Sequence, residues 1–240
     1  MRGMTTTAGR HEPPMFGSGR HFAALVVHEL RTPLATQRAL LELALAEPNA
    51  DVVTWRETGR DLLRACGQQE RLLQACLTLA RTQGRGQRSE PVDLAAITSE
   101  ALQAHEPNGL ERVVVLERAW TTGDPDLLER LAANLVANAI RHNIAGGRIE
   151  VATRSESGCA HLAVMNTGPP IPSAELERLF RPFHRLDSSP RSFGDGVGLG
   201  LAIVQAVAGA HDATLTARAR GGGGLEIDVA FPGVARRARF

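Results

Sequence analysis

His28 stands in the string His28-Glu29-Leu30-Arg31-Thr32-Pro33-Leu34. On a helix advancing about 100° per residue, Phe22, Val26, Leu30, Leu34, Leu40 and Leu41 fall nearly opposite His28, and Thr32 lies one turn along on its face. An imidazole placed there faces water and is open to a partner, and its nitrogens can act as nucleophile or proton carrier at neutral pH. Pro33 has no N–H for the carbonyl of Glu29, which predicts a kink beside the histidine. A solvated histidine on a bundle helix is the plainer reading of the same spacing.

Three further strings hold polar ligand chemistry. Asn134, Asn138 and His142 are four apart and share one helix face, with Arg141 at its edge. Amides are unfavourable in helix interiors, so two along one face suggest a polar ligand, and an Asn oxygen suits a hard cation such as Mg²⁺. Ordinary solvated asparagines would also fit. Asn166-Thr-Gly168-Pro-Pro-Ile-Pro leaves a strand, where Asn166 can bond a base edge and Gly168 allows close approach. Such residues also make plain turns. Gly194-Asp-Gly196-Val-Gly198-Leu199-Gly200 runs straight into an apolar helix, which exposes backbone N–H groups at its start and makes an anion site. A hinge is the alternative there. No GK[ST] follows and no strand precedes it, so neither a Walker loop nor a dinucleotide fingerprint is present.

The elements that must position these residues follow from periodicity. Residues 1–20 read as a disordered lead-in or linker, and 21–84 as a helical hairpin turning at Pro48-Asn49-Ala50-Asp51. Within the second helix Trp55, Gly59, Leu62, Cys66, Gln69, Leu73, Cys76 and Ala80 keep a 4-3 spacing, a bundle seam. Two helices bury little, so dimerisation into a four-helix bundle is expected. Residues 85–91 form a linker, 92–232 a mixed α/β domain and 233–240 a basic tail. The spacing predicts helices over 92–105, 125–143 and 199–210, and strands over 112–118, 148–155, 160–166, 213–219 and 225–231. Pro169 to Gly198 is left as one long functional connection. Trp55 and Trp120 read as packing residues. His11, His21, His105, His161 and His211 do not cluster and suggest no catalytic role.

Composition sets the outer limits. The chain has 240 residues, 27 basic and 26 acidic, for a net charge of +1, which argues against nucleic acid as a partner. Every basic residue is Arg, so no lysine can contact phosphate. Three cysteines without CxxC spacing fit a reducing compartment. No apolar run reaches the roughly 18 residues that span a bilayer, and the first residues lack a signal-peptide core.

In chain order the four strings resemble the H, N, G1 and G2 boxes of two-component sensor histidine kinases, and Leu179-Phe180-Arg-Pro-Phe183-His-Arg185-Leu-Asp187 resembles their F box. The resemblance covers residues 20–232. It implies a phosphoacceptor hairpin followed by a two-layer α/β Bergerat-type ATP domain, and a protein-histidine kinase that autophosphorylates His28 from ATP and passes the phosphoryl group to an aspartate on a response-regulator receiver domain. It further implies that Glu29 takes the ring proton, that Thr32 serves a phosphatase activity, and that Asn138 ligates Mg²⁺ with Asn134 in support. Asn166 and Gly168 would hold adenine, Arg141, His142 and Arg185 would meet phosphates, and Gly196, Gly198, Leu199 and Gly200 would form the loop closing over them. Asn166 departs from the family's Asp, which weakens a charge-assisted bond, and Arg141 and His142 replace the usual Lys and Tyr. The residues suggest a cytoplasmic protein, the family the cytoplasmic portion of a membrane-anchored kinase. Three rivals remain: an ATP-driven chaperone or repair ATPase of the same superfamily, a serine kinase of sigma-factor control, and a catalytically silent dimeric scaffold.

Overall fold

The computed structural model describes residues 6–7, 18–47, 51–84, 88–106, 109–186 and 198–234. Gly194, Gly196, Asp187, the turn residues 48–50, the linker residues 85–87, the tail residues 235–240 and most of the lead-in lie outside them. Among the described residues the chain divides into two units, the helical hairpin from Ser18 to Leu77 and a sheet-and-helix unit that takes in Thr6–Thr7 and the chain from Thr78 onward.

The hairpin consists of α1 (Ser18–Ala46) and most of α2 (Val52–Thr82). The helix starts inside the stretch expected to be lead-in, and it is continuous through Pro33. Asp51 begins α2 by accepting from the backbone N–H of Thr54 at 2.8 Å and from its hydroxyl at 2.9 Å. Gln37 joins the two helices, donating to Gln69 Oε1 at 3.4 Å and Cys66 Sγ at 3.3 Å.

The expected seam has the right period but is displaced by one residue. Ala65, Leu72 and Ala75 are buried, whereas Trp55, Cys66, Leu73 and Ala80 are exposed. A 4-3 repeat gives the spacing of a stripe, but a bundle helix has two apolar neighbours, and the spacing does not say which part faces which. Trp55 and Trp120 are both exposed, so neither packs in the core of its unit.

In the second unit the sheet runs β1-β7-β8-β6-β5-β3, and β2 (Glu90–Asp93) pairs with β4 (Trp120–Gly123) in a separate ribbon. The strands are β1 (Thr6–Thr7), β3 (Glu111–Leu116), β5 (Arg148–Glu156), β6 (Cys159–Asn166), β7 (Thr214–Ala219) and β8 (Leu225–Pro232). β3 lies parallel to β5, and the other pairs in the main sheet are antiparallel. Burial alternates along β5, β6 and β8, as expected when one face meets helices and the other meets water. α3 (Leu94–Gln103), α4 (Pro125–Arg141) and α6 (Gly200–Ala210) cover the apolar face. Leu127, Leu128, Leu131 and Leu135 of α4 are fully buried with Ile149, Leu162, Val229 and Phe231. Each such side chain contributes about 1.5–3 kcal/mol of burial.

The expected helix over 92–105 is in fact β2 followed by α3. Asp93 breaks the run: its carboxylate caps α3 through Ala95 N–H at 3.1 Å and also accepts from Ala119 N–H at 3.1 Å. The long connection after Pro169 contains a short helix, α5 (Ser173–Leu176), and a 3₁₀ turn over Arg178–Phe180. β1 and β4 were missed because strands this short leave no periodic signal.

Candidate functional site

α4 is the backbone of the site. Asp124 caps it, accepting from Leu127 N–H at 3.3 Å, and Pro125 supplies the fixed φ of a first helical residue. Asn134 and Asn138 then stand half-buried on one face of the helix. The Asn134 amide donates to Arg130 O at 2.7 Å, which turns its Oδ1 toward Gly200, where an added Cβ would lie 3.2 Å away. The Asn138 amide makes no hydrogen bond among the described residues.

The end of α4 is fastened to the end of β6. Helix α4 stops at Arg141, with His142 as its C-cap, and both side chains are exposed. Asn143 explains the stop: its amide donates to Ala139 O at 3.2 Å and Arg148 O at 3.1 Å, while its Oδ1 accepts from the Thr167 hydroxyl at 2.6 Å. Asn166 is 4% exposed, and its amide donates to Thr167 O at 2.6 Å and His142 O at 3.5 Å. Both amide protons are thereby engaged, which leaves Oδ1 as the group able to meet a ligand donor. Gly168 packs on His142 O, where a Cβ would come within 2.6 Å. Gly224, at φ +96°, leaves no room for a Cβ against Asn166 O, so a glycine turn between β7 and β8 backs this loop.

α6 supplies the third part. Its N-cap residue, the buried Leu199, offers no side-chain cap, so the first-turn N–H groups are left for another acceptor. Gly198 (φ +71°) accepts from Phe183 N–H at 2.9 Å, which joins this turn to the segment carrying the exposed Arg185. Glu175 pairs with Arg178 at 2.7 Å and with His184 at 3.3 Å nearby.

One unit therefore carries Asn134, Asn138, His142, Asn166, Gly168, Gly198, Leu199 and Gly200, with Asn134 against Gly200 and both Asn166 and Gly168 against the carbonyl of His142. Gly196 lies outside the described residues. His28, Glu29 and Thr32 belong to the hairpin, where His28 and Thr32 are exposed and Glu29 is half-buried.

Sequence reasoning passed over Asn143, Thr167, Gly224 and His211. The glycine run 221–224 was a usable signal for the backing turn. The others owe their roles to contacts distant in sequence. His211, from which no catalytic role was expected, is buried and accepts from Asp124 N–H at 3.0 Å. His161 likewise pairs with Asp228 at 3.0 Å on the open face of the sheet.

Comparison with known proteins assigns both parts of the chain to known families. Residues 19–85 match the His Kinase A (phospho-acceptor) domain, and residues 123–234 match the histidine kinase-, DNA gyrase B- and HSP90-like ATPases. The sensor protein CutS of Streptomyces coelicolor is 43% identical over 222 residues, covering 90% of this chain and 53% of CutS. The chain spans about half the length of the curated relatives it matches. The mycobacterial sensor histidine kinase MprB is 31% identical, with a TM-score of 0.53 over 60% of this chain and 97% of that one. Histidine kinase ThkA, solved in complex with the response regulator protein TrrA, shares the fold alone: 17% identity and a TM-score of 0.66 over 89% of this chain and 61% of that one. With both domains matched in order, and with the site assembled from α4, β6 and α6, the chain belongs to the sensor histidine kinases.

Proposed function

We propose that this chain binds Mg-ATP in its second unit, phosphorylates His28, and passes the phosphoryl group to an aspartate of a response regulator. The observation that carries the reading is the uncapped start of α6 set against Asn134 of α4, in the same unit as a buried amide whose acceptor oxygen is left for a base. The Asn166 oxygen accepts from the adenine amino group, with Gly168 and Gly224 allowing the close backbone packing that holds the loop around it. The N–H groups of Gly200 and its successors receive phosphate oxygens, joined by Arg141, His142 and Arg185. Gly196 and Gly198 serve the closing loop.

The donor set fits a magnesium ion that keeps waters and phosphate oxygens in its shell, since Asn138 offers one hard oxygen with no competing partner. Asn138 would hold it, with Asn134 alongside, and the ion's charge would offset that of the phosphates. The chain's own groups do the rest. One His28 nitrogen attacks the γ-phosphorus, a P–N bond forms, the P–O bond to ADP breaks, and Glu29 takes the proton released from the other ring nitrogen. The phosphoryl group then moves to the carboxylate of the regulator. The ThkA–TrrA complex supports a partner of that class.

The hairpin forms a homodimeric four-helix bundle in this reading. Val27, Leu34 and Leu41, seven apart on α1, are exposed, as are Leu63, Cys66, Leu73 and Leu77 at 3- and 4-residue spacing on α2 once the interrupting Glu70 is counted. A second copy would cover both rows. We place the working boundaries at 21–84 for the hairpin, 85–91 for the linker and 92–232 for the ATP domain. Among the described residues no helix is long and apolar enough to cross a membrane. We assign the chain to the cytoplasmic side of its cell, as the catalytic portion of a sensor.

Incubation with γ-labelled ATP tests the reading. Acid-labile, alkali-stable label that disappears in His28→Ala is expected. Acid-stable label on serine overturns it, and bound nucleotide without label favours a silent scaffold.

A further inference from the structure

The imidazole of His211 follows the C-terminal end of α6, buried to 9% exposure, and both its nitrogens are spoken for. Nδ1 lies 2.8 Å from Val207 O, and a carbonyl only accepts, so Nδ1 carries the proton. Nε2 lies 3.0 Å from the backbone N–H of Asp124 and accepts it. The ring is thus a neutral imidazole of defined tautomer. It stands edge-on to Phe231, with centroids 6.3 Å apart and planes at 78°. On its other side is Gly123, where a Cβ would come within 2.6 Å of Nε2. The position before Asp124 must be glycine for the ring to reach the helix start.

Asp124 is the N-cap of α4, the helix that presents Asn134 and Asn138. At the opposite end of α6, Gly200 lies against Asn134 Oδ1. α4 and α6 therefore run antiparallel and touch at two recorded points. At about 1.5 Å rise per residue these points are about 15 Å apart along α4 and about 16 Å apart along α6. The spacings match, so fixing one contact sets the other. A slip of one residue at Asp124 would carry Asn134 off Gly200 and shift Asn138, one turn further along the same helix, with it.

We propose that His211 is a positioning residue for the nucleotide: as a neutral acceptor it locks the start of α4 to the end of α6 and so aligns Asn134 and Asn138 with the phosphate-binding turn. The inference rests on the Mg-ATP reading above. It adds a residue that touches no part of the nucleotide.

Two substitutions isolate the effect in the full chain. In His211→Asn the shorter amide can still donate to Val207 O but cannot reach Asp124 N–H. In His211→Gln the longer amide oxygen can occupy the Nε2 position. Both lose the ring against Phe231, and His211→Asn keeps the bond to Val207 O whereas His211→Gln keeps the one to Asp124, so the pair separates the two bonds. The measurements are the Kd for Mg-ATP by calorimetry, KM and kcat for His28 labelling, and the melting temperature. In His211→Asn both Kd and KM should rise about tenfold, the scale of one lost hydrogen bond, with kcat little changed. His211→Gln should recover most of that loss although the two variants melt together. Unchanged Kd and KM in both variants overturn the proposal, as does a loss that follows melting temperature and is equal in both. Wild-type chain that binds no Mg-ATP overturns the function itself, a result separable from either.

Discussion

The backbone N–H of Phe183 donates to the carbonyl oxygen of Gly198 at 2.9 Å, and both residues are held at positive φ, 64° and 71°. Phe183 accepts a conformation unfavourable for a side-chain-bearing residue, and Gly198 supplies the only residue type that tolerates it freely. A Cβ on Gly198 would meet the Phe183 carbonyl carbon at 3.0 Å. Gly198→Ala should therefore open this clasp, at a cost of order 1–3 kcal/mol. The expected result is weaker nucleotide binding by calorimetry with the circular dichroism of the sheet unit unchanged. Wild-type affinity would refute it.

Asn166 predicts base selectivity. Its amide protons are turned onto Thr167 O and His142 O, so its free oxygen can accept from adenine's amino group but meets guanine's carbonyl unfavourably. GTP should compete for the site at least about tenfold more weakly than ATP, the worth of one such mismatch. Asn166→Ala should lose ATP affinity and most of the preference. In a competition assay, equal displacement by both nucleotides would contradict the assignment.

Thr32 shares the exposed face of His28, one turn away. If its hydroxyl orients a water, Thr32→Ala should label on His28 at near wild-type rate while failing to remove phosphate from a phosphorylated regulator. Parallel loss of both activities would instead mark Thr32 as part of the phosphorylation step.

Cys66 reports on the bundle. It lies exposed on the uncovered row of α2, whereas burial raises the pKa of the Cys76 thiol and slows its reaction. At low concentration Cys66 should alkylate first, and protection of Cys66 should grow with protein concentration as a second copy covers it. Mass spectrometry that finds Cys66 equally reactive at every concentration would count against the dimer.

Asp51 gives the hairpin an acid-sensitive start. The backbone N–H of Thr54, followed by its hydroxyl, stabilises the carboxylate and lowers its pKa below the ordinary value of 3.8. A carboxyl whose folded pKa is lowered adds stability that is complete above the ordinary value and disappears as pH falls through the lowered one. Helicity of the hairpin should drop in that acid range for wild type and less so for Asp51→Asn, which caps without a charge. Identical acid profiles would show that the cap carries no proton linkage.

Much of this arrangement was legible in the sequence, and the limits have physical causes. Strands over 148–155, 160–166 and 225–231 were legible and correspond to β5, β6 and β8, and the four-residue step of Asn134 and Asn138 puts both amides on one helix face. Local periodicity could not place Asp93, whose single carboxylate bonds Ala119 across the fold, nor separate the two halves of the α2 stripe. The contact of His211 with Asp124 left no trace in the sequence, because the two residues are 87 positions apart. The glycines at 223 and 224 were readable as a turn, but their service to Asn166 depends on how β8 pairs with β6.

β1 lies along β7, with Thr6 opposite Ala217 and Thr7 opposite Thr216. That two-residue strip covers part of one rim of the sheet and leaves the other rim, β3, unpaired on its outer side among the described strands. β3 carries Val114 and Val115, both exposed. Backbone-mediated clumping of the catalytic half on storage is thereby directed to a single aliphatic margin, and one charged residue on that margin is the economical way to keep the isolated domain in solution.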